Sequence, residues 1–473
     1  MKSFYLEGRW ESAKATHAVL NPWNGETIAE VCLAEAAQVE RAVASSHTAF
    51  ASTRKTPAAE RSALLARVAQ GIQARAADFV SLLVAEAGKP VTYAEMEVAR
   101  AQITFEQAAH EAAASHGHTL EMEATAPGKG HFGLVRRFPL GVILGITPFN
   151  FPLNLVAHKV APCLATGNTM VLKPALKTPL SALLLAEVLH EAGVPPGQVN
   201  VVPFSHEHIP PLLHDQRIKM LSFTGSAEVG WKLKAEAAKQ KVALELGGNA
   251  GVIVEADSAW QSAIPKIAAG AYGYAGQSCI SVQRIFVHAS IYEEFRRELT
   301  AFITTKIAAG NPQDRAVTVG PMINPAARDK VVQWIAQAEA AGARLLTPLR
   351  TESLGLLHPV LIENAPRDAA VTGEEAFAPL AVLESYDTFE EALGRVNDSA
   401  YGLQAGVFTS DITKAFRAFE EIEAGGVLIN QTPTFRVENM PYGGVKDSGF
   451  GREGVRYAME DMTEMRSLVV NLA

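Results

Sequence analysis

Apolar positions in the first third of the chain recur at three- and four-residue spacing over residues 36–50, 58–76 and 91–114. That period is helical and predicts three amphipathic helices. Thr56-Pro57 and Gly88-Lys89-Pro90 punctuate them. From residue 140 the pattern changes to short continuous apolar runs at 140–146, 169–173, 199–204, 220–224, 242–246 and 251–255. Such runs read as strands buried on both faces. Helical stretches at 180–192 and 226–238 lie between them. A second alternation follows residue 258, with helices at 259–274 and 292–309 and strands at 283–288 and 426–429. Alternating elements of this kind predict two open, mostly parallel sheets with helices on both faces. Ligands then sit beyond the carboxyl ends of the strands, in the cleft between the units. Residues 467–472 read as one more extended strand.

Composition narrows the function classes. A formal net charge of -8 speaks against nonspecific nucleic-acid binding as the main role. No apolar run approaches the ~20 residues of a membrane span. The N-terminal residues carry no apolar core of signal-peptide length, so a cytoplasmic location is expected. Three cysteines cannot build a disulfide framework, and no metal-type Cys/His spacing is present.

Five segments carry candidate chemistry. In Gly276-Gln277-Ser278-Cys279-Ile280 the cysteine follows an expected helix end among small polar neighbours. It reads either as a small buried hydrophobe or as a nucleophile open to a cleft. Cys163 and Cys32 lie in apolar runs and read as core. Glu245 ends an apolar strand before Gly247-Gly248, either as a solvated strand end or as a general base with a raised pKa. Asn150, in Thr147-Pro148-Phe149-Asn150-Phe151-Pro152, is either a turn former or an oxyanion donor. Lys173 ends a strand where a nucleotide ribose or phosphate would lie, or is simply solvated. Phe223-Thr224-Gly225-Ser226 runs from strand to helix and offers backbone N–H groups to a pyrophosphate. The literal GxGxxG at Gly449-Phe450-Gly451-Arg452-Glu453-Gly454 sits near the C-terminus, outside a strand–helix start, and reads as a tight loop.

Taken in order, these segments resemble the aldehyde dehydrogenase superfamily along nearly the whole chain. Glu374-Glu375-Ala376-Phe377-Ala378-Pro379, Asn397 and the Pro441–Gly449 stretch extend the resemblance. It implies an α/β fold of two doubly wound domains plus a small β oligomerisation arm. The nucleotide-binding domain would take residues 1–116 and 138–247, the catalytic domain 248–447, and the arm and C-terminal segment 117–137 and 448–473. It further implies Cys279 as the nucleophile forming a thiohemiacetal and then a thioester, Asn150 as oxyanion donor, and Glu245 as the base for hydrolysis. NAD or NADP would contact Lys173, Gly225, Ser226, Glu375 and Phe377, with Thr147, Pro148 and Leu246 completing the site. Leu176 stands where NAD-preferring members often carry a glutamate, and residues 202–208 replace a usually glycine-rich loop; both leave NAD against NADP open.

The family's substrate channel implies Arg100, Phe105, Phe151, Ser278 and Arg436 as lining residues, with Phe149 and Phe435 as further walls. An arginine pair suits a carboxylate or phosphate. The alternative is a structural ion pair, for instance of Arg436 with Glu438 or of Arg100 with Glu97 on the helix. The pattern resembles the lactaldehyde and non-phosphorylating glyceraldehyde-3-phosphate branch, which implies a hydroxyaldehyde or anionic semialdehyde as substrate and a homodimer or homotetramer as assembly. The rivals are a CoA-acylating dehydrogenase, against which Glu245 argues, and an idle protein on the same fold, against which Cys279, Glu245 and Asn150 together argue.

Overall fold

The computed structural model describes residues 1–114 and 117–472. The expected domain limit at residue 116 and the last residue of the C-terminal segment lie outside them.

Five parallel strands form the heart of the first sheet, in the order Val199–Val201, Thr169–Lys173, Val142–Ile146, Ile218–Thr224, Lys241–Glu245. The chain starts at the middle strand, winds outward to one side, then returns and winds to the other. The switch point therefore lies between Val142–Ile146 and Ile218–Thr224, where such sheets leave a crevice at their carboxyl ends. Val142–Ile146 and Thr169–Lys173 are buried at every position, which accounts for their unbroken apolar character. The helix Asn154–Thr166 is buried along its whole length, between the sheet and the helices Ala58–Ala74 and Val91–Ala113. It still carries His158 and Lys159.

The second sheet orders Arg344–Leu345, Val360–Glu363, Leu380–Tyr386, Val282–His288, Ala250–Val254, Gln404–Phe408 and Gly426–Ile429. Every pairing except the first is parallel. The change of sheet falls between Lys241–Glu245 and Ala250–Val254, so Gly247 and Gly248 bridge the two units. A three-stranded arm stands apart: Thr463–Asn471 pairs antiparallel with His131–Pro139 along its full length, and His118–Leu120 flanks it.

The fold is the expected one. The first 32 residues, before the first expected helix, form four short strands, of which Phe4–Leu6 and Arg9–Glu11 extend the first sheet as an antiparallel edge. Each of these two is only three residues long, too short for a period to register. Residues 448–462 of the C-terminal segment pack on the first unit. Gly449–Phe450 pairs with the end of Lys241–Glu245, and the helix Val455–Asp461 packs on Asn154–Thr166. The glycines of the GxGxxG segment shape this turn, with φ of 85° at Gly451 and 92° at Gly454. Among the described residues, no helix is long and apolar enough to cross a membrane.

Candidate active site

Cys279 is delivered by an unusual turn. After the helix Trp260–Tyr272, three successive residues take left-handed backbone: Tyr274 (φ 52°), Ala275 (φ 55°) and Gly276 (φ 64°). Left-handed backbone costs about 1–2 kcal/mol at a residue bearing a Cβ, so the surroundings must hold this turn. Only glycine fits third, because a Cβ at Gly276 would stand 2.0 Å from the carbonyl oxygen of Ala378. Gln277 then anchors the turn, accepting from the Ile323 N–H at 2.8 Å. Cys279 follows, half-buried, on the wall of a cavity of about 700 Å³.

Asn150 and Glu245 line the same cavity. Asn150 comes from the loop beyond Val142–Ile146, and its Nδ2 donates to the carbonyl oxygen of Gln277 at 3.1 Å. Its Oδ1 is buried without a partner among the described residues. Glu245 ends its strand beside the crevice, and its Oε2 is also buried and unpartnered. Gly443 leaves room for that carboxyl: a Cβ there would come within 2.9 Å of Oε1.

Electrostatics separate these groups. Burial pushes the Cys279 thiol up to about 12; the Tyr442 hydroxyl, 3.1 Å from the sulfur, pulls it back, while Glu375 and Glu245 push it further up. Burial also lifts Glu245 well above the usual carboxylate range, and the negative charge of Glu453 adds to this. Glu453 goes the other way. Burial opposes its ionisation, but Lys159, His158 and Arg436 together hold it well below the usual range. The site thus sets side by side one carboxyl whose ionisation is disfavoured, Glu245, and one whose ionisation is favoured, Glu453. The Tyr442 contact yields a first prediction. Tyr442→Phe removes the donor that favours thiolate, so alkylation of Cys279 by iodoacetamide at pH 8 should slow about tenfold, given ~1.5 kcal/mol for a hydrogen bond to a charged group. An unchanged rate would remove Tyr442 from the account.

On the cofactor side, Pro148, Gly225, Ser226, Leu246, Glu375 and Phe377 all line the cavity. Backbone is open to a ligand at the Gly225-Ser226 turn, where a Cβ on Gly225 would strike the ring of Phe223 at 2.5 Å. Ser226 caps the helix Ala227–Glu236, whose N-terminal N–H groups face the crevice end of the sheet, and Thr224 Oγ1 is buried there without a partner among the described residues. An exposed backbone turn with a helix N-terminus fits a dinucleotide pyrophosphate. Glu375 accepts from the Gly248 N–H at 2.9 Å, and burial lifts it to about 7. Phe377, at φ 49°, meets Phe149 edge to face at 5.8 Å. Thr147 and Lys173 lie outside the cavity lining. They are linked to each other, Thr147 N–H donating to the Lys173 carbonyl at 3.2 Å. The Lys173 ammonium stands 5.7 Å from the Phe204 ring, and burial lowers it to about 8.

On the substrate side, Arg100, Phe151, Ser278 and Arg436 line the cavity, with Phe149 and Phe435. Phe105 does not; it is fully buried in the core of the first unit. Tyr93, Met96, Glu97 and Arg100 form the cavity face of their helix. Phe105 lies five residues past Arg100, about 140° round the helix at ~100° per residue.

Both arginines form ion pairs, but with other carboxylates than the two offered as examples. Arg100 donates to Glu438 at 2.9 and 3.1 Å, while Glu97 is taken by Lys89. Arg436 is almost fully buried, 3.7 Å from the Tyr442 ring centroid and 3.2 Å from His158 Nδ1. Its closest carboxylate is Glu453 at 3.5 Å, and its Nε has no partner among the described residues. His158 bridges the two carboxylates, with Nε2 2.7 Å from Glu438 and Nδ1 3.3 Å from Glu453. Sequence reasoning missed His158, Lys159, Glu438, Glu453 and Tyr442 as members of the site. The signal was there in one case: a His-Lys pair in an otherwise apolar helix requires buried partners.

A cysteine, an amide and a buried carboxyl thus line one crevice at the carboxyl ends of the first sheet's strands. The chain belongs to the aldehyde dehydrogenase family, whose model matches residues 10–468. It is 40% identical over 469 residues to 3-sulfolactaldehyde dehydrogenase of Priestia aryabhattai, covering 99% of this chain and 98% of that one. Aldehyde dehydrogenase 21 from Physcomitrella patens, solved with the reaction product succinate, superposes with a TM-score of 0.97 at 39% identity, covering 100% and 98%. The glyceraldehyde-3-phosphate dehydrogenase GapN of Methanocaldococcus jannaschii, solved with NADP, gives 0.92 at 34% identity, covering 97% and 100%. As a member of that family it is an NAD(P)-dependent aldehyde dehydrogenase, an enzyme that oxidises an aldehyde.

Proposed function

We propose that Cys279, Asn150 and Glu245 carry this oxidation, and that the substrate is a short aldehyde with an anionic group at its far end. The Cys279 thiol gives up its proton to solvent water, beside the Tyr442 hydroxyl, and the sulfur bonds to the aldehyde carbon. The carbonyl oxygen becomes an oxyanion against the Asn150 amide. The nicotinamide, when bound, is the hydride acceptor. What remains on Cys279 is a thioester. Glu245, once ionised, takes a proton from water as the water adds to the thioester carbon, releasing the acid and restoring the thiol. Lys159 and Arg436 favour its ionisation. A buried carboxyl beside the thioester suits water as the acceptor and speaks against acyl transfer to CoA. Leu246 and Phe377, with Pro148, would hold the nicotinamide half of the cofactor, Gly225 and Ser226 its pyrophosphate, and Glu375 and Lys173 its riboses, with Thr147 beside Lys173.

The observation that carries the substrate reading is the buried, unpartnered Nε of Arg436 on the cavity wall. Arg100 adds a second guanidinium at the same end. The charged ends of the substrate and product named for the two relatives above accord with this. Arg436→Leu should raise KM for succinic semialdehyde roughly 10–100-fold, the worth of a hydrogen-bonded charge, and leave KM for butanal within twofold. Because Arg436 also faces Glu453, kcat should fall for both; the split in KM is the informative quantity. Equal KM effects on both aldehydes would return Arg436 to a structural role.

A homodimer or homotetramer completes the reading. The arm strand exposes Met465, Leu468 and Val469, and the helix Ile412–Glu421 exposes Ile412, Phe416 and Phe419. Apolar faces of this kind suit burial against a second copy.

A further inference from the structure

Lys89 is fully buried and lies outside the cavity lining, behind two aromatic rings that do face the cavity. Its ammonium is 3.9 Å from the centroid of Phe151 and 4.3 Å from that of Tyr274. The rings meet edge to face at 5.9 Å. A desolvated ammonium against aromatic faces is a strong contact, but it also needs a counter-charge. Glu97 provides it. The other Glu97 oxygen accepts the backbone N–H groups of Leu153 and Asn154 at 3.0 and 3.1 Å, fixing the start of the helix Asn154–Thr166.

The two rings belong to different loops. Phe151 adjoins Asn150. Tyr274 opens the left-handed turn that ends at Cys279. Tyr274 and Ala275 hold backbone that their own side chains disfavour, so neighbours must impose it. Tyr274 Oη donates to the carbonyl of Ala87 at 3.3 Å, two residues before Lys89. In front, the Asn150 amide meets the Gln277 carbonyl at 3.1 Å. One short segment, 87–89, thus grips both loops from behind.

We propose that Lys89 is a positioning residue for catalysis: by holding Phe151 and Tyr274 together, its ammonium sets the placement of the Asn150 amide against the Cys279 sulfur. This rests on the assignment of those two groups given above. A misplacement of about 1 Å in such a pair lowers rate on the order of 10²-fold.

Lys89→Met keeps the chain length and removes the charge. The double variant K89M/E97Q removes both charges, so that no carboxylate is left buried without its partner, and protects the experiment against loss of the fold. The quantity to measure is the single-turnover rate constant for succinic semialdehyde, with enzyme in excess and cofactor saturating, per titrated Cys279 thiol. Cofactor Kd is read alongside by nicotinamide fluorescence. Both variants should lose about 10²-fold in that rate constant, with a full thiol titre and Kd within twofold. A wild-type rate constant per thiol, with only thermal stability lowered, would overturn the proposal and leave Lys89 as packing. Cys279→Ala, run in parallel, separates the two levels. Turnover in that variant would sink the underlying assignment, whereas an inert Cys279→Ala beside fast Lys89 variants would sink the positioning claim alone.

Discussion

Replacing Cys279 with alanine should abolish aldehyde oxidation, lowering kcat by at least about 10⁴-fold, while NAD or NADP binds with Kd within twofold of wild type. The sulfur is the atom that bonds to carbon, and no neighbour can take its place. Cys163 is fully buried in its helix, where burial pushes its thiol up, and Cys32 is fully buried in a strand. The fold should tolerate the change. Cys279 is half-buried and packs on the small cluster of Ile280, Leu403 and Tyr442. The Tyr442 hydroxyl loses one partner, a cost of about 1 kcal/mol. Stopped-flow absorbance of the reduced nicotinamide is the readout. A rate above one hundredth of wild type would contradict a covalent mechanism on this cysteine.

Glu245→Gln should produce one equivalent of reduced cofactor per site and then stall, with steady-state turnover down roughly 10²–10⁴-fold, the range for loss of a general base. The amide fills the same space but cannot take a proton from water. The pH dependence follows from the sign of the shift. Burial and Glu453 raise Glu245, so its ionisation, and with it its action as a base, moves to higher pH than for an ordinary carboxylate. In the wild type, the hydrolysis rate should therefore climb with pH above the ordinary carboxylate range and level off only as Glu245 ionises. In the glutamine variant that climb should vanish while the first equivalent still appears. Full steady-state turnover in the variant would remove Glu245 from the hydrolytic step.

Much of this was legible in the residues because burial leaves a direct mark on them. Thr169–Lys173 and Gly426–Ile429 are strands over the same residues their apolar runs predict. Cys279, Asn150 and Glu245 each stand out as a polar or reactive group set at the end of an apolar element, and the fold brings all three to one cavity. What stayed hidden depends on long-range geometry. Phe105 is an apolar residue on a cavity-facing helix, and only its angular position sends it into the core. Glu453 sits inside a glycine pattern that draws attention to the glycines. Its role comes from His158, Lys159 and Arg436, nearly 300 residues upstream in the first two cases. The partners of Arg100 and Arg436 followed the same logic: the local carboxylates suggested by spacing were already engaged by other groups. Lys89 reads as turn punctuation, and nothing local indicates the two rings it lies between.

The central claim is that the substrate carbon passes through a thioester on Cys279. Its most direct test is peptide mass spectrometry of the Glu245→Gln protein, acid-quenched after mixing with cofactor and succinic semialdehyde. The account predicts that the peptide containing Cys279 gains the mass of the succinyl group in near-stoichiometric yield, and that Cys163 and Cys32 remain unmodified. An unmodified Cys279 peptide, recovered while reduced nicotinamide has formed at one equivalent per site, would contradict it.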